Sequence, residues 1–346
     1  MHIVVLSPGI SDHGGRVSTN LGDCIIHDAV KEVLSGLFPL AYLEWLSTHQ
    51  ELSETHMSSL CAADMVVVGG SNLLGNDQFY LHKIRWFRQW KITLQQARRL
   101  RVVLLGVGWR RYEGPLRGEM RDIVRSALSP DALHSVRDGY TSEKLREAGI
   151  ANVINTSCPS VWALAGRKIA GSKCDTVLTM LCDYKPSPIT DWRLLRLLRR
   201  LYRDVVLWPQ GEKDIWYLTR LGFAKTIRVL DRSFEALEHF LKNNECDYVG
   251  NRLHGGLACV RAGKRALILA VDNRAAEIAK DIGLPCAGRH ERKRISEWIH
   301  TPCDVRLHIP EGAIQEWKSQ FRTRRICAAE QVAAANMRPH GVAQHG

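Results

Sequence analysis

The sequence lacks the features that mark a membrane-spanning or exported protein. No apolar run approaches the roughly 18 residues that a membrane helix needs. The chain starts Met-His-Ile-Val-Val-Leu-Ser-Pro, which has the pattern of a β-strand rather than of a charged start followed by a cleavable apolar stretch. We therefore expect a cytoplasmic protein that is at most peripheral at a membrane.

Paired cysteines are also missing. The ten cysteines, from Cys24 to Cys327, are scattered, with no Cys-x-x-Cys pair and no His-x-x-x-His spacing near them. This pattern is typical of reduced, mostly buried thiols. It predicts no metal site, because zinc sites need closely spaced ligands of these types.

Nucleic-acid and dinucleotide motifs are absent as well. The formal net charge is +12 and the isoelectric point is near 9.3, which favours anionic partners such as nucleic acid, anionic lipid or phosphorylated small molecules. However, no zinc-finger, helix-turn-helix or RNA-binding motif accompanies the charge, and the first strand-to-helix turn lacks a full Gly-x-Gly-x-x-Gly. Specific nucleic-acid binding is therefore not expected.

The chain does contain a regular alternation of apolar strand patterns and amphipathic helix patterns. Such alternation predicts an α/β fold with parallel sheets, and the length favours two domains. We expect two Rossmann-like domains facing a cleft, at 1–165 and 174–310, joined by a polar linker at 165–173. A helix over 311–336 is expected to pack back on the first domain, followed by a disordered tail, 337–346.

The most informative segment is 249–256, Val-Gly-Asn-Arg-Leu-His-Gly-Gly, which ends a strand pattern and opens a helix pattern. Ligands bind at such carboxyl ends of parallel strands, and a helix N-terminus suits an anion. Arg252 adds a forked cation, His254 adds a group that transfers protons near neutral pH, and Gly255 and Gly256 allow a close backbone approach. The alternative interpretation is a buried arginine–carboxylate pair and a core histidine.

The first domain has polar or glycine-rich loops at three predicted strand ends, and these loops should meet at one edge of the sheet. They supply candidate substrate-binding residues, with Arg137 as a second candidate anion clamp. The candidates are Asn20, Asp23, Gly70, Ser71, Asn72 and Trp109. Structural alternatives remain open: Asn20 or Asp23 as a helix cap, Arg137 in a salt bridge with carboxylates of the other domain, and core packing for tryptophans.

Taken together, these residues resemble the polysaccharide pyruvyl transferase family over about 20–290. The matching segments occur in the family order. They are Asn20-x-Gly22-Asp23, Gly69-Gly70, Gly106-x-Gly108, Val136-Arg137-Asp138-x-x-x-Ser142, Arg252-x-His254-Gly255, Gly263 to Asp272, and Glu277 to Gly283 followed by Leu284-Pro285.

The resemblance implies transfer of a pyruvyl group from phosphoenolpyruvate to two hydroxyls of a sugar in a polysaccharide or its precursor, with release of phosphate and no further cofactor. It also implies an architecture similar to glycosyltransferase-B. Phosphoenolpyruvate carries a phosphate and a carboxylate, so arginines and a helix N-terminus suit it. The resemblance assigns proton transfer to His254 and donor binding to Arg137, Arg252, Leu253, Gly255 and Gly256, with Asp272 as a further candidate substrate contact.

The chain departs from the family pattern in two places: Ser71 stands where a third glycine is usual, and Cys158-Pro159 stands where Asp-Pro is usual. Two other hypotheses therefore stay open. One is a glycosyltransferase that uses a sugar nucleotide, for which Asp272 or Glu277 would bind the nucleotide. The other is a diverged, non-catalytic member that binds an anionic ligand. The acceptor sugar and the oligomeric state are left undetermined.

A basic helix pattern over 192–203 also has two interpretations. Its leucines share one face and its arginines surround that face. It is typical of an ordinary helix packed on the second sheet. The alternative is a surface that contacts anionic lipid, where a lipid-linked sugar acceptor would reside.

Overall fold

The computed structural model describes residues 1–11, 15–16, 18–76 and 90–322. The predicted helix over 311–336 lies partly outside these residues. The predicted disordered tail, 337–346, lies wholly outside them.

The first domain is built on parallel strands covered by helices. Its strands are β1 (His2–Ser7), β2 (Tyr42–Ser47), β3 (Met65–Gly69), β4 (Val102–Leu105), β5 (His134–Val136) and β6 (Val153–Asn155). Its helices are α1 (Leu21–Leu37), α2 (Glu54–Ala62), α3 (Leu94–Ala97), α4 (Gly118–Ala127), α5 (Gly139–Glu147) and α6 (Pro159–Trp162). The sheet order is β2-β1-β3-β4, and a bridge between Val107 and Val136 joins the β5-β6 pair to it.

The second domain repeats this design. Its strands are β8 (Thr176–Thr179), β9 (Asp204–Leu207), β10 (Arg228–Val229), β11 (Asp247–Gly250), β12 (Ala266–Ala270) and β13 (Cys286–Gly288). Its helices are α7 (Pro188–Leu201), α8 (Asp214–Arg220), α9 (Phe234–Asn243), α10 (Leu253–Arg261), α11 (Asn273–Ile282) and α12 (Arg292–His300). The sheet is parallel, in the order β10-β9-β8-β11-β12-β13. The predicted α/β class with parallel sheets is confirmed.

The stretch predicted as a linker contains a strand. Strand β7 (Lys168–Gly171) pairs antiparallel with β14 (Cys303–Arg306), which follows α12. The linker prediction at 165–173 was wrong here because the pairing partner lies far along the chain, and the polar composition of the segment gave no sign of it.

Each sheet has a point at which the strand order reverses, between β1 and β3 in the first and between β8 and β11 in the second. Connections leave such a point in opposite directions, which opens a crevice beyond the carboxyl ends of the strands. Helix α1 starts at the first crevice and helix α10 at the second, and the two helices contact each other.

The two domains share an apolar core. One cluster of buried side chains runs from Val30 of α1 through Val161 of α6 to Leu257 of α10. The last described helix, α13 (Glu311–Ser319), lies against the first domain, where Gln320 exchanges two hydrogen bonds with the backbone of Leu133 at 2.9 and 3.0 Å. Within the described residues, none of the helices combines the length and apolar composition that crossing a bilayer requires.

Candidate active site

Arg252 follows β11 and is almost entirely buried. Its Nη2 donates to Asp214 Oδ1 at 2.6 Å and to Asp183 Oδ1 at 2.7 Å, and its Nε donates to the carbonyl of Leu181 at 2.6 Å. Burial alone would lower the pKa of Arg252, but the charges around it, Asp214 first, raise that pKa overall. The arginine is therefore a fixed cation. Its Nη1 makes no hydrogen bond within the described part of the chain, which leaves one nitrogen for a ligand.

The first turn of α10 has no side-chain cap. Arg252 is the N-cap residue, but its side chain turns to the two carboxylates instead. The first N–H that bonds back within the helix is that of Gly256, to the carbonyl of Arg252 at 3.0 Å. The N–H groups of Leu253, His254 and Gly255 have no partner inside the helix, as at any helix N-terminus. An open helix end of this kind attracts an anion.

Gly255 and Gly256 serve the packing of this helix. A Cβ on Gly255 would collide with the side chain of Met180, and a Cβ on Gly256 would collide with Ile268 and Tyr248. The sequence analysis expected these glycines to let the backbone approach a ligand. The structure corrects the reason, since the space that their missing side chains leave is filled by the sheet.

His254 is buried where the two domains meet. Its Nε2 lies 3.9 Å from Cys158 Sγ, which belongs to the first domain. Burial, followed by the positive charges of Arg274 and Arg137, lowers the pKa of His254 to about 3. The imidazole is therefore neutral at physiological pH, and a pKa this low makes it a weak base until a nearby anion raises that pKa.

Arg274 is a pocket residue that the sequence analysis missed. Its Nη2 donates to Asp272 Oδ2 at 2.9 Å and to the hydroxyl of Tyr184 at 2.6 Å. Burial alone would raise the pKa of Asp272, but the charge and hydrogen bonds of Arg274 bring that pKa well below its ordinary value. Arg274 stands at the start of α11, just after β12, so its position at a strand end was the available signal.

Asn20 and Asp23 of the first domain lie close to the residues of the second domain described above. Asn20 Oδ1 accepts from the N–H of Gly22 at 3.1 Å, so its interpretation as a helix cap is confirmed. The amide of Asn20 donates to Asp23 Oδ2 at 2.8 Å, and Asn20 Oδ1 also accepts from Gln210 of the second domain at 3.3 Å. Burial raises the pKa of Asp23 despite nearby positive charge.

Arg137 lies at the back of the cleft. Its Nε donates to Asp138 Oδ2 at 3.0 Å and its Nη2 to the carbonyl of Trp109 at 3.0 Å. The salt bridge that the sequence analysis weighed thus forms with the adjacent residue rather than with the other domain. The charge of Arg137 still acts on His254, which places its guanidinium toward the second domain.

Trp109 is a core residue. Its side chain is fully buried, and its Nε1 donates to Glu113 Oε1 at 2.9 Å. This corrects the expectation that Trp109 contacts a substrate, because no ring face is open for a sugar to stack on. Its carbonyl instead joins the domains by accepting from Asn273 Nδ2 at 3.1 Å.

The residues of the loop after β3 are explained by backbone conformation and packing. Gly70 and Ser71 both adopt left-handed backbone conformations, with φ of 69° and 68°. A Cβ on Gly70 would collide with Ile26 of α1, so the glycine lets α1 pack on the strand end. Asn72 Oδ1 is buried without a hydrogen-bond partner in the part of the chain that the structure describes. A substrate role for these three residues stays a prediction.

One pocket combines the polar groups described above. It lies between the start of α1 and the starts of α10 and α11, and residues from the first turns of all three helices line it. The residues that line it include Asn20, Gly22, Asp23, Tyr184, Gln210, Asn251, Arg252, Leu253, His254, Asp272 and Arg274.

The comparison with protein families decides what kind of protein this is. The model of the polysaccharide pyruvyl transferase family matches residues 20–273, well over half of the chain. The chain belongs to the polysaccharide pyruvyl transferase family. The protein is thus a transferase, and every pocket residue except Arg274 and Ala275 lies within the matched segment.

Solved structures show the fold of this pyruvyl transferase family member. A structure of S. aureus MnaA with UDP is 12% identical, with a TM-score of 0.50, and the match covers 100% of this chain and 99% of that chain. A UDP-GlcNAc 2-epimerase from Neisseria meningitidis bound to UDP-GlcNAc is 12% identical, with a TM-score of 0.43, covering 86% and 90%. The first match confirms the predicted glycosyltransferase-B-like architecture. No curated protein sequence matches the chain.

The structure brings six of the thirteen predicted site residues of the transferase together in one pocket and leaves the other seven outside its lining. Those that line one pocket are Asn20, Asp23, Arg252, Leu253, His254 and Asp272. The missed residues, Tyr184, Gln210 and Arg274, come from the ends of β8, β9 and β12. Arg274 could have been found from its position just after a strand, whereas Tyr184 and Gln210 come beside Arg252 only when the sheet folds.

Proposed function

We propose that this protein transfers the pyruvyl group of phosphoenolpyruvate to two hydroxyls of a sugar, forming a ketal and releasing phosphate. The observation that carries the proposal is the uncapped start of α10 beside buried Arg252, partly buried Arg274 and a neutral histidine. Family membership supports a pyruvyl donor and a glycan acceptor.

The charges and free N–H groups of the donor site suit a small molecule with two anionic groups. The open N–H groups of α10 and the unused nitrogen of Arg252 suit a phosphate or a carboxylate, and Arg274 supplies a second cation nearby. Asp23 is one of two acidic residues that line the pocket. Since burial raises its pKa, its repulsion of an anion is reduced.

His254 is placed for the proton transfers of the reaction. When two hydroxyl oxygens bond to the central carbon of phosphoenolpyruvate, one hydroxyl proton ends on the methylene carbon and the other leaves with the phosphate. Neutral His254 can accept a proton from an attacking hydroxyl. The negative charge of a bound donor would raise the pKa of His254, and a raised pKa favours the imidazolium form that returns the proton to carbon.

The sugar-nucleotide alternative has less support at this site. Its two candidate carboxylates are engaged: Asp272 with Arg274, and Glu277 with the hydroxyl of Tyr112 at 2.6 Å across the domain interface. Because phosphoenolpyruvate is a cytoplasmic metabolite, we propose that the protein acts in the cytoplasm.

Ligand-induced thermal stabilisation tests the proposal. A ligand at 100 times its dissociation constant stabilises the folded state by about 2.7 kcal/mol, so phosphoenolpyruvate should raise the melting temperature and sugar nucleotides should not. Phosphate release should then require both phosphoenolpyruvate and a sugar diol. Arg274→Ala should lose the stabilisation, whereas Arg121→Ala, at a half-exposed site on α4, should keep it. Stabilisation by sugar nucleotides alone would identify a glycosyltransferase instead.

A further inference from the structure

Exposed apolar side chains cluster at the starts of two helices of the second domain. Ile189 and Trp192, in the first turn of α7, are 68% and 40% exposed, and Ile215 and Trp216, in the first turn of α8, are 44% and 57% exposed. They make up half of the eight large apolar side chains that are exposed within the described residues. Such a concentration at one place on a surface marks an interaction site.

The two helix starts adjoin. The hydroxyl of Tyr217 on α8 donates to Asp191 Oδ2 on α7 at 2.6 Å, and it accepts from the N–H of Ser187 at 3.0 Å. The turns that carry the four apolar side chains are therefore fixed against each other. They form one edge of the domain rather than two separate patches.

This edge borders the pocket. Asp214, directly before Ile215, accepts from Arg252, and Asp191, directly before Trp192, accepts from Asn251 at 3.1 Å through its Oδ1. The apolar edge thus lies at the same ends of the strands as the site, on the outer side of the second sheet.

Positive charge surrounds the apolar side chains. Arg196 lies 4.8 Å from the ring centre of Trp192, and Arg220 lies 4.8 Å from that of Trp216. The exposed face of α7 continues with Arg193, Arg199 and Arg200. The only acidic residues within the two helices, Asp191 and Asp214, are fully buried, so they do not offset this charge at the surface.

We propose that this edge docks the protein on an anionic lipid surface. Tryptophan and isoleucine insert at the boundary between headgroups and acyl chains, and surrounding arginines bind lipid phosphates. The sequence carries no nucleic-acid-binding motif beside this charge, which favours lipid. The docking does not depend on the reaction at the pocket, but it would hold the cleft at the surface where a lipid-linked sugar is presented.

Vesicle co-sedimentation of the full chain tests the proposal. The protein should sediment with vesicles of phosphatidylcholine and phosphatidylglycerol, but not with phosphatidylcholine alone, and added salt should weaken the binding. Trp192→Ser with Trp216→Ser should lower the partition coefficient at least about tenfold, because the buried apolar area is lost. Arg193→Glu with Arg196→Glu should lower it at least about 20-fold, since each basic residue contributes about 1 kcal/mol near an anionic surface.

A matched control removes equally exposed apolar side chains from the first domain. Leu40 and Tyr42 are 69% and 68% exposed, and Leu40→Ser with Tyr42→Ser should bind vesicles like the parent. Melting temperatures near that of the parent establish that each variant is folded. Vesicle binding is measured without any reaction at the pocket. Its result therefore stands even if the protein does not transfer a pyruvyl group.

Three results would overturn the proposal. The first is a parent that does not bind anionic vesicles. The second is a variant with both Trp192→Ser and Trp216→Ser that binds vesicles as tightly as the parent. The third is binding to a duplex oligonucleotide that depends on Arg193 and Arg196 while vesicle binding does not, which would identify a nucleic-acid surface.

Discussion

Both domains place an arginine in the short connection between a strand and the next helix, yet the two helix ends differ. In the first domain Asp138, the residue after Arg137, caps α5 by accepting from the N–H of Thr141 at 2.7 Å. In the second domain no side chain caps α10, and Arg252 itself stands at the N-cap position.

The two helix ends differ because the carboxylates that bind the two arginines come from different parts of the chain. Asp138 satisfies both Arg137 and the helix end, so the positive end of α5 is already neutralised. The carboxylates of Arg252 come from the ends of two other strands, and they leave the start of α10 open. Two similar local sequences thus produce one closed and one open anion site, and the open one lies in the second domain.

Replacing each arginine with alanine should produce the largest difference in stability between the two domains. Arg252→Ala leaves Asp214 buried without its cation, which should cost about 3–5 kcal/mol in the free energy of unfolding. Arg137→Ala should cost less, about 1–3 kcal/mol, because Asp138 keeps its bonds to Thr141. Urea unfolding measures both values, and a larger loss in Arg137→Ala would contradict the comparison.

The histidines provide a second contrast between the domains. His254→Gln should fold, bind phosphoenolpyruvate and turn over at least about 100-fold more slowly, because proton transfer is lost. His134, buried in the first domain, bonds to the carbonyl of Ser129 at 2.9 Å. His134→Gln should therefore lose stability and keep its specific activity. Near-parental phosphate release from His254→Gln would remove this histidine from the mechanism.

Measurements of donor affinity test whether the second domain binds phosphoenolpyruvate. Arg274→Ala should weaken phosphoenolpyruvate binding by about 1.5–3 kcal/mol, because one charge-assisted contact is lost while Asp272 still caps α11. Lysine at position 274 should restore only part of the affinity, since it lacks the planar fork. Calorimetric titration measures the effect. An equal loss in Arg137→Ala would show that both domains hold the donor, as the sequence predicts.

The pH dependence of stability should also change. Folding lowers the pKa of His254 to about 3, whereas the unfolded chain takes up a proton near the ordinary value of 6.5. The unfolded state then binds more protons between these two values, so stability falls as the pH falls through that range. His254→Gln should flatten this slope by up to about 1.4 kcal/mol per pH unit. Identical slopes in urea unfolding series would contradict the burial of a neutral histidine.

The sequence predicted the pocket in outline because its central residues are close together along the chain. Arg252 and His254 follow one apolar strand and precede one helix, and both are visible in a single segment. The partners of Arg252 are not visible in that segment. Asp183 and Asp214 lie 69 and 38 positions before Arg252 and contact it only when β8, β9 and β11 align.

Elsewhere the same sequence signals had other causes. Trp109 follows a strand, as a ligand-stacking residue would, but the turn directs its ring into the core. Gly255 and Gly70 are glycines at strand ends, but Met180 and Ile26 occupy the space beside them. Strand β7 escaped prediction because its apolar pattern is short and its partner, β14, comes after the entire second domain. Packing between distant segments decided each of these cases.

The contact between α13 and the first domain has a consequence for synthesis of the chain. Trp317 is fully buried and stacks edge-on with Trp162, and Phe321 packs against Phe38. This part of the first domain stays uncovered on the ribosome until residues 166–310 have been made, which takes roughly ten seconds or more at about 5–20 residues per second. During that interval Phe38 and Trp162 are exposed to chaperones, and this exposure ends only when α13, the last described helix, has been made.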